Sequence, residues 1–460
     1  MVDTGNPNTG NTAWMLASSA LVLLMTPGLA LFYGGMVRSK SVLNMMMMSL
    51  SAMGVVSVLW VLYGYSMAFG NDIGLGLLGN PAEHAGLEGL FGGTYLASEG
   101  SQASIPLVGT IPAMVFVAFQ AMFAIITVAL VSGAAADRLR FAPWLVFAAA
   151  WATVVYFPVA HWVFAFDGVS AAIGGWIAND LKAIDFAGGT AVHINAGAAG
   201  LALCLVLGRR RGWPREAMRP HNLPFVMLGA GLLWFGWFGF NAGSATAADG
   251  VAGIAFVNTL VATAAAMLGW LLVERIRDGR PTSLGGASGV VAGLVAITPA
   301  CSAVSPVGAI AVGAIAGAVC AFAVSIKFRF GFDDSLDVVA VHLVGGLVGT
   351  LLIGFLATSA APAAVDGLFY GGGFGQLGKQ AVAAGAVLAY SFVVALIIAL
   401  VLKHTIGLRV DNDTELAGID ETEHAEAGYE LSTIYTGSGN SRAAQEASSG
   451  KIPAQAGQEG

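Results

Sequence analysis

Apolar and polar positions along this chain alternate in long blocks and not in single steps. Runs of roughly 20 apolar or small residues, the length a helix needs to cross a hydrocarbon core of about 30 Å, are separated by short polar segments. Read in windows of about 19 residues, eleven runs stand out: 13–35, 43–69, 110–133, 142–165, 187–208, 223–243, 251–273, 286–300, 305–326, 337–358 and 380–403. The eighth (SGVVAGLVAITPA) is short and rich in small residues, so its ends are the least defined. Membrane-barrel strands would alternate with period two, which runs such as LLIGFLATSAA do not. The expected fold class is therefore an all-α polytopic membrane protein with eleven transmembrane helices.

Charge in the connecting segments tests that count. The loops after spans 1, 3, 5, 7 and 9, together with the segment after span 11, hold 18 of the 20 Lys and Arg residues, and only Lys182 and Lys379 fall on the other side. One span more or fewer would scramble this alternation. The positive-inside rule then places the N-terminus outside and the C-terminus in the cytoplasm, with the plasma (inner) membrane as the expected location. The N-terminal MVDTGNPNTGNTAW is polar and lacks the basic region of a secretory signal, so the first run is expected to be a retained span.

Composition agrees. Only 10% of residues are charged and 57% are hydrophobic, whereas soluble domains average about 25% charged residues. The net charge of −7 is local: ten acidic and two basic residues follow Arg409, against 17 acidic and 18 basic residues in 1–409. The acidic end (431–460), rich in Gly, Ser and Ala, is expected to be disordered. No basic patch points to nucleic acid. Cys204, Cys301 and Cys320 form neither a metal motif nor a disulfide framework, and no metal or cofactor is expected.

Two spans carry a buried histidine. DFAGGTAVHINAGAAGLALCLVLGRR (185–210) holds His193, and DVVAVHLVGGLVGTLLIGF, from Asp337, holds His342. Both read H-x3-G-x2-G, with Gly197 and Gly200 after the first and Gly346 and Gly349 after the second. The glycines fall on the histidine's own helical face. Each histidine also has an aspartate upstream, Asp185 and Asp337. Such small-residue spacing commonly serves helix packing alone. Two matched copies five spans apart, however, enter the membrane from opposite sides. That is the signature of an inverted repeat, spans 1–5 against 6–10, with its site at the repeat interface. Intramembrane histidines suit proton handling, because imidazole has a donor and an acceptor nitrogen and titrates near neutrality.

The neighbouring spans add aromatic faces. VAFQAMFAIITV (span 3) places Phe119 and Phe123 four apart, and WFGWFGFNAGSA (span 6) contains Trp237, with Phe240 and Ser244 four apart. Aromatic faces attract cations by about 0.5–2 kcal/mol, and a serine hydroxyl accepts from an N–H donor. A rival chemistry is an intramembrane serine hydrolase using Ser288 in GGASGV with His342 as base. Short G-x-S-G matches are frequent in a chain with 63 glycines, and packing explains this one equally well.

Together, DFAGGTAVHINAGAAGLALCLVLGRR, GWFGFNAGSA, FYGGMVRSKSVLNMMM, PHNLPFVMLGAG and DDSLDVVAVHLVGG resemble the ammonium transporter (Amt/Mep/Rh) family in its bacterial Amt branch. The resemblance runs from span 1 to just past span 11. It implies a homotrimer that conducts ammonium or ammonia, with methylammonium as an analogue, and is not an enzyme. Each subunit would have its own hydrophobic pore, lined by His193 and His342 and closed on the outside by Phe123 and Phe240. An outer ammonium site would use Phe123, Ser244 and a tryptophan. Here AHWVFAFDG puts Phe164 at the tryptophan's position, with Trp162 two residues earlier. Either one completes the wall.

Asp185 matches the family's aspartate and reads both as a helix N-cap and as a charge favouring cations. Asp337, with Asp333 and Asp334, reads as cap and mouth charge; Phe119 and Trp237 are further pore candidates. Residues 1–408 would form the transport domain, with repeats at about 13–208 and 223–358 and span 11 at 380–403. The segment 409–430 resembles the family's cytoplasmic C-terminal region, which implies a PII-type signal protein as partner. An ammonium sensor of the same fold and a Rhesus-type NH3 or gas channel remain alternatives.

Overall fold

Each apolar run folds as a helix, because a backbone without access to water must satisfy its N–H and C=O groups within its own segment. The computed structural model describes residues 3–95, 103–216 and 218–429; the acidic end expected to be disordered (431–460) lies outside the described residues. Eleven helices follow the eleven runs: α1 Thr9–Met36, α2 Val42–Phe69, α3 Ala113–Ala135, α4 Phe141–Phe164, α5 Gly189–Leu207, α6 Leu223–Gly243, α7 Gly250–Arg277, α8 Ser283–Ile297, α9 Pro306–Phe330, α10 Val339–Leu356 and α11 Gly375–Thr405. Ten of them are long and apolar enough to span a membrane, among the described residues. The eighth is 15 residues, about 22 Å of helix. It still links the two faces. The start of α8 is tied to the end of α7 by Thr282 N donating to Glu274 at 2.7 Å. Past its C-terminus, Pro299 O accepts from Phe186 N at the other face.

Cross-face contacts verify the alternation. On the basic face, the ends after spans 1, 3 and 5 and before span 10 meet in one ion cluster: Arg38–Asp137 at 3.5 Å, Arg210–Asp137 at 3.5 Å and Arg210–Asp333 at 2.9 Å. The chain after α11 returns there too, with Arg140 N donating to Leu408 O. On the opposite face, Asn11 bonds Thr110 and the backbone of Ala248, and Ile184 N donates to Gln380. Helices α1 and α6 pack along each other at the centre, and the pairs α2/α4 and α7/α9 contact in corresponding positions of the two halves, as an inverted repeat requires.

Two features lie outside the bundle. A small antiparallel sheet, β1 Asp3–Gly5, β2 Ile105–Val108 and β3 Ile111–Pro112, covers the face opposite the basic one. Beyond α11, the short helices α12 Asn412–Ala417 and α13 Ile419–His424 lie against the basic face. There the Asp420 carboxylate caps α2 by accepting from Leu43 N at 3.0 Å and Asn44 N at 2.8 Å, and Glu423 caps α4 by accepting from Phe141 N at 2.9 Å.

Candidate functional site

The two intramembrane histidines meet. His193 Nδ1 and His342 Nδ1 are 3.3 Å apart and the rings lie 21° from parallel. Each sits in a single wide π turn at the start of its helix, Gly189–Ile194 in α5 and Val339–Val344 in α10, a distortion frequent at functional sites. The glycines of the shared motif make the approach possible. A methyl group on Gly197 would lie 2.5 Å from Leu343 N, and one on Gly349 would lie 2.0 Å from Ala296 O; no side chain fits at either contact.

An aspartate holds the start of each of these helices. The buried Asp185 carboxylate accepts from Gly188 N at 2.8 Å, Gly189 N at 2.6 Å, Thr190 N at 2.7 Å and Ala191 N at 3.2 Å, and also from the Thr190 hydroxyl. Its capping role is therefore complete. In α10 the equivalent cap is Asp334, which accepts from Val339 N at 2.7 Å. Asp337, matched to Asp185 on sequence, instead accepts from Lys327 Nζ at 2.6 Å. The spacing tells the same story, since Asp185 and Asp334 each lie eight residues before their histidine. Asp333 belongs to the ion cluster with Arg210.

From the histidines toward the face opposite the basic cluster, the site continues as a series of rings. His193 stacks on Trp237 at 5.4 Å, and Trp237 Nε1 donates to Thr298 Oγ1 at 2.8 Å, which fixes the indole. Phe240 follows, stacked on Phe123 with centroids 4.1 Å apart, and Phe119 packs against Phe123 at 4.9 Å. On the histidine side of this phenylalanine pair is a cavity of about 10 Å³, walled by apolar side chains including Met25, Leu29, Ile126 and Leu233. That is the space of one small molecule.

On the other side is a vestibule of about 130 Å³, lined among others by Gln120, Phe123, Phe164, Ser244 and Thr246. Ser244 Oγ donates to Phe240 O at 2.9 Å, so its lone pairs remain as acceptors toward the vestibule. Phe164 stands edge-on to Phe123 at 6.3 Å. Trp162 takes no part: its ring packs on Trp176 and Tyr390, and its Nε1 donates to Leu77 O at 2.8 Å.

At the basic face a third opening, about 330 Å³, is lined by Met36, Arg210, Lys327 and Asp337 among others. The residues brought together are thus His193, His342, Trp237, Phe240, Phe123, Phe119, Phe164 and Ser244. Asp185 and Asp337 act at the helix ends. Ser288 lies half-buried on α8, while His342 pairs with His193, so the described residues form no Ser–His dyad. Gln120 and Thr298 are not among the residues expected from sequence, and of the three aspartates expected as cap and mouth charge Asp334 is the one that caps α10. The signal for Gln120 is a lone carboxamide one helical turn before Phe123; for Asp334 it is the eight-residue spacing.

Comparison with known proteins bears on this arrangement. The model of the Ammonium Transporter Family matches residues 13–429. An ammonium transporter of Mycobacterium tuberculosis is 69% identical over 437 residues, covering 93% of this chain and 91% of its own. The crystal structure of Candida albicans Mep2 superposes with a TM-score of 0.79 at 34% identity, covering 89% of this chain and 88% of that one. A solved structure described as a sensor Amt protein gives 0.80 at 28% identity, over 90% and 98%. The chain belongs to the ammonium transporter family, in its bacterial Amt branch.

Proposed function

We propose that the protein carries ammonium across the plasma membrane by releasing the proton at the vestibule and conducting NH3 past the histidine pair. Moving a bare cation through this apolar conduit is prohibitive, since an isolated ion costs tens of kcal/mol in a medium of ε about 4 by the Born estimate. NH3 avoids most of that cost. The cation is held in the vestibule by the faces of Phe123 and Phe164 and by acceptors on Ser244 and Gln120. Phe123 and Phe240 form the outer gate, and Asp185 adds a negative charge at the same end of α5.

The observation that carries this reading is the 3.3 Å separation of the two Nδ1 atoms. One Nδ1 must donate and the other accept, so the neutral pair holds a single proton between them. One Nε2 is then a lone pair and the other an N–H. The pair consequently offers both an acceptor and a donor to ammonia, and a route by which the released proton follows it.

Homotrimeric assembly, regulation by a PII-type signal protein at the basic face, and an orientation with the N-terminus outside complete the proposal; the clustering of basic residues on one face supports the orientation. Residues 1–408 carry transport in this reading, and 409–430 form the segment docked beneath it. The similarity to a sensor Amt protein supports a second reading, in which the chain binds ammonium and signals. Methylammonium uptake into proteoliposomes, with and without an imposed membrane potential, separates these. Potential-driven uptake supports cation-coupled transport, potential-independent uptake supports passive NH3 conduction, and binding without uptake supports sensing.

A further inference from the structure

We infer a second cation chamber beside the vestibule, in which Glu83 and His84 hold an ammonium ion before it reaches Phe123. The inference rests on ammonium being the transported species. The chamber is larger than the vestibule, about 360 Å³, and lies between the turn after α2, the β2–β3 hairpin and the loop after α4. Among its lining residues are Tyr65, Phe69, Asn71, Glu83 and His84. It adjoins the vestibule, since Val108, Gly109, Val169 and Ser170 line both. A cation held there reaches the phenylalanine gate along a shared wall.

Glu83 keeps acceptor capacity toward the chamber, because its two oxygens offer about four acceptor positions and Asn71 occupies one on each. Asn71 fixes the carboxylate with its backbone N–H at 2.7 Å and its Nδ2 at 2.6 Å, while Asn71 Oδ1 accepts from Ala172 N at 2.6 Å. Glu83 is thereby locked to the loop that forms the opposite rim. His84 Nδ1 lies 3.0 Å from Glu88 O. A carbonyl only accepts, so the proton of the neutral ring sits on Nδ1 and Nε2 carries a lone pair. That Nε2 is 3.8 Å from Glu83 Oε1. While the ring is neutral, two acceptors face each other across that gap. A cation with several N–H bonds bridges such a pair, which a bare alkali ion does only through its charge. The wall behind them is closed by the buried rings of Tyr65 and Phe69. The space is large enough for the ion to keep part of its water, at about 30 Å³ per molecule.

A chamber of this kind raises the local concentration of cation and acts on apparent affinity more than on the rate at saturation. The test is the ammonium-evoked current of full-length protein in membranes at low ionic strength. In Glu83→Gln the half-saturating ammonium concentration is expected to rise roughly three- to tenfold, with a much smaller change in saturating current, and the difference is expected to shrink as salt screens the charge.

Glu83→Gln also disturbs the Asn71 bonds, so Ala172→Lys provides an independent variant. Ala172 is exposed and lines the chamber but not the vestibule, and a positive charge there is expected to raise the half-saturating concentration without replacing Glu83 or any vestibule residue. A half-saturating concentration within twofold of wild type in both variants, with transport intact, overturns the chamber and leaves the transport reading standing. A wild-type protein that carries no ammonium overturns both.

Discussion

The starts of α5 and α10 are built on one plan and finished differently. Each has an aspartate eight residues before a histidine, a wide π turn and the same pair of glycines. At α5, every bond of Asp185 comes from the first turn of its own helix or from Thr190 beside it. At α10, Asp334 accepts from Val339 N through one oxygen, while its Oδ1 is buried without a partner among the described residues. Around it lie Lys327, Asp337 and the Arg210–Asp333 pair. One half thus fixes its histidine with a fully satisfied carboxylate. The other sets its histidine beside charges whose balance shifts with pH. A repeat conserves the scaffold that two helices need to cross, and each face of the membrane then sets the electrostatics.

The largest expected effect lies at the satisfied cap. Asp185→Ala strips the partner from four buried N–H groups and a hydroxyl, each costing about 1–3 kcal/mol if left unpaired. The folded protein is expected to lose at least roughly 3 kcal/mol or fail to accumulate, read as thermal unfolding in detergent. Asp334→Ala removes a single bond and is expected to cost about 1 kcal/mol. Equal losses would erase the contrast between the halves.

Next come the glycines. Gly349→Ala forces a methyl group against Ala296 O and is expected to cost about 1–3 kcal/mol and to displace His342. Gly200→Ala meets Ala134 Cβ at 3.1 Å, which a small shift relieves, and is expected to cost under about 1 kcal/mol. The reverse order would mean that the two helices do not cross as described.

The subtlest effect is a pH dependence confined to α10. Burial, and then the charge of Asp337, push the Asp334 carboxyl up to about 6. The folded protein therefore binds this proton more tightly than the unfolded chain, whose aspartates titrate near 3.9. Its contribution to stability is full below about pH 4 and is lost as pH rises through about 6. Asp334→Asn mimics the protonated form, so its stability relative to wild type is expected to rise by on the order of 1–2 kcal/mol between pH 4 and 7. A pH-independent difference would place Asp334 among ordinary solvated carboxylates.

Much of this architecture was legible in the sequence, because hydrophobic length and loop charge are direct consequences of the bilayer. Polar chemistry moved the ends. Helix α1 begins at Thr9, four residues before the apolar run, where Asn8 accepts from Asn11 N at 2.9 Å. Helix α7 runs to Arg277, past its apolar stretch, because Glu274 is held by Trp270 and Thr282. The third apolar run starts at residue 110, but Ile111 and Pro112 belong to β3 and the helix begins at Ala113.

Residues two apart on a helix point about 200° from each other, so only one of Trp162 and Phe164 can face the vestibule. Sequence alone does not say which, because the phase of α4 is set by packing against Tyr390 and Trp176. Of the three aspartates read as cap and mouth charge, Asp334 caps α10 and Asp337, nearer the apolar run, lines the opening at the basic face. Helix-start geometry depends on spacing to the first free N–H groups, and Asp334 has the right spacing.

The proposal stands or falls on the histidine pair. With His193 and His342 both replaced by alanine, the current evoked by ammonium in planar membranes is expected to fall at least about tenfold, because the proton loses its relay even where NH3 still passes. A double variant that folds, carries methylammonium and retains the wild-type current would contradict it.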